Sequence, residues 1–455
     1  MEYRLVNRFS RLSWGDSWML SFWIFGLLAG ISTLATAQTT DFSLDEAVDY
    51  ALNHQNAIRS AQLKIQEAEQ KIIETRANGI PHLDATFGDS YFLKKSIVLL
   101  PESFGMGNPN FNREVSFSQN HNISGTVTAS TLLFNWTYLQ GLKAAKVYKT
   151  LEEANYQTVR RKAEDEVTNA YLPALLIQES EQTVQKNIAN LKALRKETRE
   201  MFEAGFVEQL DVDRIDLSLA NLQVRLENLA RSKTMALEAL KLTMGYPLDA
   251  EIHLTNATDE VLSSLDDGLL AEKLNYLSHP AYRTILATER LNQVNIKAKE
   301  SAYYPSLTGF VNYDMQWQGD KLKDLFYTPS SVIGFKVNIP IFAGFGTKAK
   351  VQQAKLQLDR LLLNKQDMER GLAFQVRRAR IAYENAKSNL DQRNKNLTLA
   401  EKIYKTTKIK YKEGVGSSLE LNQAEMALCQ AQQNIIEGKF DLLKAKIQLK
   451  QALGK

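Results

Sequence analysis

Two carboxylates stand where predicted helices begin, and each lies six residues beyond a glycine. Asp211 follows Gly205, and Glu420 follows Gly414. A carboxylate in the first turn of a helix is stabilised by the helix dipole, and Ser417 with Glu420 has the spacing of a capping box. Helix capping alone is therefore a sufficient role for both acids.

The other reactive side chains form no catalytic or metal-binding pattern. The five histidines include no H-x-x-x-H pair, and the single Cys429 excludes an intramolecular disulfide and a cysteine-rich metal site. We expect Cys429 to lie in a helix interface. The sequence also lacks a G-x-S-x-G motif, a Walker A motif and a dinucleotide fingerprint. We expect neither enzyme activity nor a cofactor or metal, so energy for any transport must come from a partner.

The composition narrows the fold class. Of 455 residues, 44% are apolar and 24% charged, with only 22 glycines and 9 prolines, which disfavours a turn-rich all-β protein. The net charge of +4 gives no indication of a nucleic-acid partner. A mean hydropathy of −0.31 excludes a membrane protein built from many apolar helices.

The N-terminus has the pattern of a secretory signal peptide. Three arginines precede an apolar run over residues 18–30, and Ala35 and Ala37 form an A-x-A cleavage site. We expect residues 1–37 to be removed on export. An uncleaved N-terminal anchor is the alternative.

The exported part repeats one plan, which runs helix, strand, loop, strand, very long helix, tight turn and helix. We predict a first repeat over 38–248, a polar connector over 249–270 and a second repeat over 271–455, with a longer loop between the strands of the first repeat. A helix beginning at Ser43 is predicted to lead to the first strand. The paired landmarks are Pro81 with Pro305, Phe134 with Phe342, and Gly205 with Gly414.

Four segments alternate apolar and polar residues, which predicts strands with one apolar and one polar face. Such strands would suit the wall of a membrane barrel, with the apolar face toward lipid and the polar face toward water. A half-buried sheet over the core of a soluble protein is the alternative. Four strands cannot close a barrel that encloses water, so a membrane role requires several chains. The segments are 83–91, 123–130, 307–315 and 333–341.

Residues 136–204 and 346–413 contain almost nothing that stops a helix, with Pro173 and Gly371 as the exceptions. Each would be a helix of roughly 100 Å. Apolar residues at three- and four-residue spacing predict helices that pack side by side. An exported coiled-coil structural or adaptor protein without a membrane barrel would explain these helices, but it does not explain the strands.

The duplicated chain resembles the TolC-type outer-membrane efflux proteins, also called the outer membrane factor family. The resemblance covers the whole exported part and is strongest in the two helical turns. It is carried by the prolines that open each first strand, by the segments LLFNW and PIFAG that end each second strand, and by the turns AGFVEQLDV (204–212) and EGVGSSLEL (413–421).

The resemblance implies a homotrimer in the outer membrane of a Gram-negative bacterium. Four strands per chain would form one twelve-stranded barrel, continued across the periplasm by a tunnel of long helical hairpins, with the connector in a belt at mid-height. Such a protein is the passive exit channel of a tripartite efflux or type I secretion system. Its implied partners are outer-membrane lipid, a periplasmic adaptor and an inner-membrane pump of the RND or ABC type.

The resemblance also implies functional residues at the periplasmic tip. The two turns would dock the adaptor, with exposed apolar side chains on glycine-capped turns, and acids after the turns would form a gate with a tyrosine. The docking residues are Gly205, Phe206, Val207, Gly414, Val415 and Gly416, and the gate residues are Asp211, Tyr411 and Glu420.

Two positions depart from the family pattern. Some relatives carry a basic residue and a second acid at the gate, where this chain has Gly416 and Gln423. We therefore expect the closed state to lack an inter-helix salt link. A lysine run over 405–412 beside the second turn is either a solvated helix face or an electrostatic surface for the adaptor.

Overall fold

The computed structural model describes residues 40–101, 104, 113–264 and 267–455. The predicted signal peptide and most of the long loop of the first repeat lie outside these residues. The strands are β1 (Thr40–Phe42), β2 (His82–Tyr91), β3 (Val98–Leu99), β4 (Glu114–Val115), β5 (His121–Asn135), β6 (Ile252–Leu254), β7 (Ser306–Gly319) and β8 (Phe326–Asn338). The helices are α1 (Leu44–His54), α2 (Asn56–Ala77), α3 (Trp136–Glu203), α4 (Gln209–Met244), α5 (Thr258–Ser264), α6 (Pro280–Glu300), α7 (Gly346–Lys412) and α8 (Ser418–Ala452).

The four predicted strands are confirmed and form one antiparallel sheet in the order β2-β5-β7-β8. The register places apolar residues opposite one another on one face and polar residues on the other. On the polar face, the Thr126 hydroxyl donates to the Asp314 carboxylate at 2.8 Å. One apolar row across the sheet is Leu83, Ala129, Val311 and Ile333, and one polar row is Thr86, Thr126, Asp314 and Ser330.

The long helices are also confirmed, and their lengths match between the repeats. The hairpin of α3 and α4 has helices of 68 and 36 residues, and the hairpin of α7 and α8 has helices of 67 and 35 residues. Pro173 lies inside α3, which continues past it. The matched hairpins are the structural form of the internal duplication.

The helix predicted from Ser43 toward the first strand is in fact two helices. Its start is as expected, because the Ser43 N–H donates to the Glu46 carboxylate at 2.8 Å. The chain then breaks at Gln55, which has extended backbone angles and separates α1 from α2. The Gln55 side chain donates to the carbonyl of Thr243 at the end of α4, so a long-range contact accompanies the break.

The connector is less polar in structure than its sequence indicates. Its strand β6 pairs in parallel with β1, and it buries Ile252 and Leu254 while His253 stays exposed. Phe42 of β1 lies in the same apolar cluster, and its carbonyl accepts the Tyr171 hydroxyl at 3.1 Å. The connector therefore ties the N-terminal strand to the middle of α3.

The described helices include none that is both long and apolar enough to cross a membrane. Within the described ranges, no group of three or more histidine, cysteine or acidic side chains is arranged to hold a metal ion.

Candidate channel gate and docking tip

The two hairpins end in matching turns that together form the tip of the molecule. Gly205 and Gly414 have φ angles of 78° and 74°, which L-residues with side chains rarely adopt. In each turn, the residue after the glycine donates back to the helix: Phe206 to the Met201 carbonyl and Val415 to the Lys410 carbonyl. A Cβ on Gly205 or Gly414 would meet nothing within 4 Å, so backbone conformation and not space requires glycine there.

The apolar side chains of the turns differ in exposure. Phe206 is 80% exposed and Val415 is 78% exposed, as the docking prediction requires. Val207 was expected to be exposed as well, but it is half-buried and packs against an apolar group that we call the tip cluster. The buried members of the tip cluster are Val184, Ile188, Leu191, Leu194, Ile215, Leu219, Tyr411 and Leu421.

The backbone of the second turn accounts for glycine at position 416. A Cβ on Gly416 would lie 3.1 Å from the Tyr411 nitrogen and from the Lys410 Cβ. The Gly416 N–H also donates to the Lys410 carbonyl at 3.1 Å. The turn is folded so closely on the end of α7 that it leaves little room for a side chain at position 416.

Asp211 joins the tips of the two repeats through a serine. The Ser418 hydroxyl at the start of α8 donates to the Asp211 carboxylate near the start of α4. Arg214 donates to the Ser418 oxygen at 2.7 Å and lies 3.8 Å from the Asp211 carboxylate. Asp211 also accepts the Glu208 N–H at 3.2 Å, so it caps its own helix as well. We call Asp211, Arg214 and Ser418 the tip clasp.

Tyr411 is a core residue of the tip in the single chain. Only 4% of its surface is exposed, and burial raises the pKa of its hydroxyl. It lines the same small cleft as the tip clasp. The structure therefore brings Asp211 and Tyr411 into one site.

Glu420 lies apart from that cleft. Its N–H donates to the Ser417 hydroxyl at 3.2 Å, which is the capping contact expected from the sequence, and its side chain is exposed. Gln423 is exposed as well. Within the lysine run, Lys412 pairs with Glu197 of α3 at 2.7 Å, so part of this charge is already neutralised.

Sequence reasoning missed Arg214, Ser418 and the buried Glu425, which lines the cleft on α8. The three-residue spacing of Asp211 and Arg214 places both on one helix face and could have indicated that Arg214 belongs to the site. No local signal connects Ser418 to Asp211, because the two residues belong to different hairpins.

The model of the family described as outer membrane efflux protein matches residues 47–246 and 278–455, which is most of the chain. The chain belongs to the outer membrane efflux protein family. Membership places it in the outer membrane. The toluene efflux pump outer membrane protein TtgF of Pseudomonas putida is 25% identical over 257 residues, covering 55% of this chain and 52% of TtgF. The chain thus matches about half the length of this relative.

Solved structures of the outer membrane efflux protein fold superimpose on nearly the whole chain. CusC, whose crystal structures concern folding and transmembrane channel formation, has a TM-score of 0.73 at 19% identity over 91% of this chain and 92% of its own. The outer membrane protein VceC from Vibrio cholerae has a TM-score of 0.69 at 16% identity over 90% of this chain and 96% of its own. These similarities establish the fold.

Proposed function

We propose that the chain is the passive outer-membrane exit channel of a tripartite efflux or type I secretion system and acts as a homotrimer. The observation that carries this proposal is the open four-stranded sheet. It has one apolar face suited to lipid and one polar face suited to water, yet it cannot enclose water alone.

The free edges of the sheet support a trimer. Strands β2 and β8 form the two edges, and all ten residues of β2 are exposed in the single chain. In lipid, unpaired backbone groups at such edges are costly, so they require partners. Pairing β2 of one chain with β8 of the next, three times around, would produce a closed barrel of twelve strands.

The helical hairpins carry a second surface suited to another copy of the chain. Apolar side chains seven or eleven residues apart are exposed along α4. Exposed apolar side chains also recur along α7, as in helices that pack side by side. We propose that α4 of one chain packs against α7 of its neighbour. The stripe on α4 is Leu210, Leu217, Val224, Met235 and Leu242, and that on α7 includes Leu363, Phe374, Ile381, Leu399 and Ile403.

The partners follow from family membership and from the exposed turns. TtgF is named as the outer membrane protein of a toluene efflux pump, which supports a role beside a pump. We propose that a periplasmic adaptor docks at Phe206 and Val415, because these side chains would otherwise stay in water. Gly205, Val207, Gly414 and Gly416 shape the same docking turns. An inner-membrane pump of the RND or ABC type would supply energy and select the substrate.

The gate is proposed at the tip. In a trimer, the exposed Glu420 would form a ring of like charges that attracts cations. Asp211 and Tyr411 would hold the two hairpins together behind that ring. The connector over 249–270 would lie in a belt around the tunnel.

The test is extraction of the protein from outer membranes with detergent, followed by electrophoresis with and without heating and by conductance measurement in planar bilayers. We expect a heat-labile trimer that forms water-filled pores. A monomer that needs no detergent and forms no pores would instead establish the coiled-coil alternative.

A further inference from the structure

Glu425 is a carboxyl group buried in the tip without an ion-pair partner. It lies on α8, and only 8% of its surface is exposed. Among the described residues, no basic side chain forms an ion pair with it. It lines the cleft that also contains Asp211, Arg214 and Tyr411. Glu425 therefore lies where α8 meets the end of α7 and the start of α4.

Burial of this kind favours the protonated carboxyl. Removing a carboxylate from water without a compensating partner is costly, so the group takes up a proton instead. Burial raises the pKa of Glu425 to about 7, with Lys408 on α7 acting in the opposite direction. Glu425 thus changes charge near neutral pH, where an exposed glutamate is already ionised.

The other titratable groups around Glu425 do not share this behaviour. On α7, burial raises the pKa of Tyr404 to about 12, and on α8 it raises the pKa of Cys429 to about 11, so both stay neutral in this range. Of the charged groups on the neighbouring helices, Lys408 on α7 acts on Glu425 directly, and Asp211 and Arg214 of α4 line the same cleft. Glu197 on α3 acts on the neighbouring Tyr404, and Arg225 on α4 acts on the neighbouring Cys429.

Ionising Glu425 would place a negative charge in the packed contact between helices. Neither Lys408 nor Arg214, which lines the same cleft, forms an ion pair with Glu425 in this packed arrangement, so the charge would be uncompensated there. The cleft is also lined by Leu194 of α3 and Leu421 of α8, so all four long helices meet around it. Loss of packing here would act on both hairpins at once.

We infer that Glu425 is a proton-controlled latch: when protonated, it lets α8 pack against the other three long helices at the tip, and when ionised, it loosens that packing and favours the open channel. This inference rests on the proposed channel function. It adds a pH-sensitive group that is separate from the Glu420 ring.

The test compares the wild-type protein with Glu425→Gln, whose amide is neutral at every pH and nearly the same size. In planar bilayers, the open probability of the wild-type channel should increase several-fold as pH rises from about 5.5 to 8.5, whereas Glu425→Gln should keep its low-pH value throughout. Glu437→Gln, which changes an exposed glutamate on the same helix, should behave as wild type. Glu420→Gln should keep the pH response while changing ion selectivity.

A second measurement does not depend on conduction. Thermal unfolding of the detergent-solubilised protein should give equal stability for wild type and Glu425→Gln at acidic pH and higher stability for the variant at neutral pH. Identical pH profiles in both measurements would overturn the latch. Absence of pores in every variant, with the stability difference retained, would overturn the channel function but leave the buried proton site.

Discussion

His279 occupies the position in the second repeat that Gln55 occupies in the first. Each residue has extended backbone angles and precedes a helix, α6 or α2. His279 Nε2 lies 2.8 Å from the Ala452 carbonyl oxygen, and Gln55 Nε2 donates to the Thr243 carbonyl at 3.2 Å. Both carbonyls lie at the end of the return helix of their own hairpin. The duplication has thus kept one long-range contact while changing the side chain that makes it.

This equivalence predicts that the contact made by residue 279 does not require a histidine. Because a glutamine amide makes the same contact in the first repeat, His279→Gln should retain stability, whereas His279→Ala should lower the free energy of unfolding by about 1 kcal/mol. Chemical denaturation of the two variants at neutral pH measures the difference. Equal loss in both would show that the imidazole ring itself is needed.

The burial of His279 also predicts that the free energy of unfolding depends on pH. Burial lowers the pKa of His279 below its ordinary value of 6.5. The unfolded chain then binds a proton more readily than the folded one, so this contribution to stability is complete above pH 6.5 and declines as pH falls below it. His279→Gln should lose less stability than wild type on acidification. Parallel curves would contradict this.

A glycine in a turn and a glycine inside a helix should respond oppositely to alanine, the first losing stability and the second gaining it. Gly414→Ala places a side chain at a φ of 74° and should destabilise the turn by about 1–2 kcal/mol. Gly371→Ala is the matched control, because its Cβ also meets nothing but lies inside α7, where alanine should stabilise by about 0.5–1 kcal/mol. Thermal unfolding distinguishes the two. If Gly414→Ala leaves the stability unchanged, the positive φ is not the reason for glycine at this position.

The proposed charge ring predicts ion selectivity. Glu420→Gln should reduce the preference of the pore for cations in planar bilayers, because it removes one negative charge per chain from the narrow end. Glu437→Gln removes the same charge from an exposed site elsewhere on α8 and should leave selectivity unchanged. Unaltered selectivity in Glu420→Gln would exclude Glu420 from the gate.

The tip clasp predicts a closed state that depends on Ser418. Ser418→Ala removes the hydroxyl that links Arg214 to Asp211 and should raise the open probability of the channel. Ser218→Ala is the control, since its 3.4 Å bond to Asn422 also joins the two repeats but involves no charge. If both variants open equally, the charged clasp has no special role.

The exposed turns predict adaptor binding. Phe206→Ser with Val415→Ser should weaken co-purification with a periplasmic adaptor while the trimer stays intact. Leu277→Ser, at an exposed site far along the chain from both turns, should not. Charge reversal at Lys405 and Lys410 tests whether the lysine run also contributes. Loss of the trimer in the double variant would point to a structural role.

Much of the fold could be predicted because it follows from local patterns. Period-two alternation specified the strands that pair across Thr126 and Asp314, and the near absence of helix-breaking residues specified α3 and α7. Gly205 and Gly414 marked the turns because few other residues adopt a positive φ. The repeat itself was visible as recurring landmarks in the sequence.

What the tertiary structure decided depends on residues far apart in the chain. The break at Gln55, the pairing of β1 with β6 and the clasp between Asp211 and Ser418 each join separate elements. The burial of Glu425 is of the same kind, because an acid on an amphipathic helix looks solvated until its neighbours are known. Side-chain periodicity determines which face of an element is apolar, but packing between elements determines which polar groups lose their water and which partners they then find.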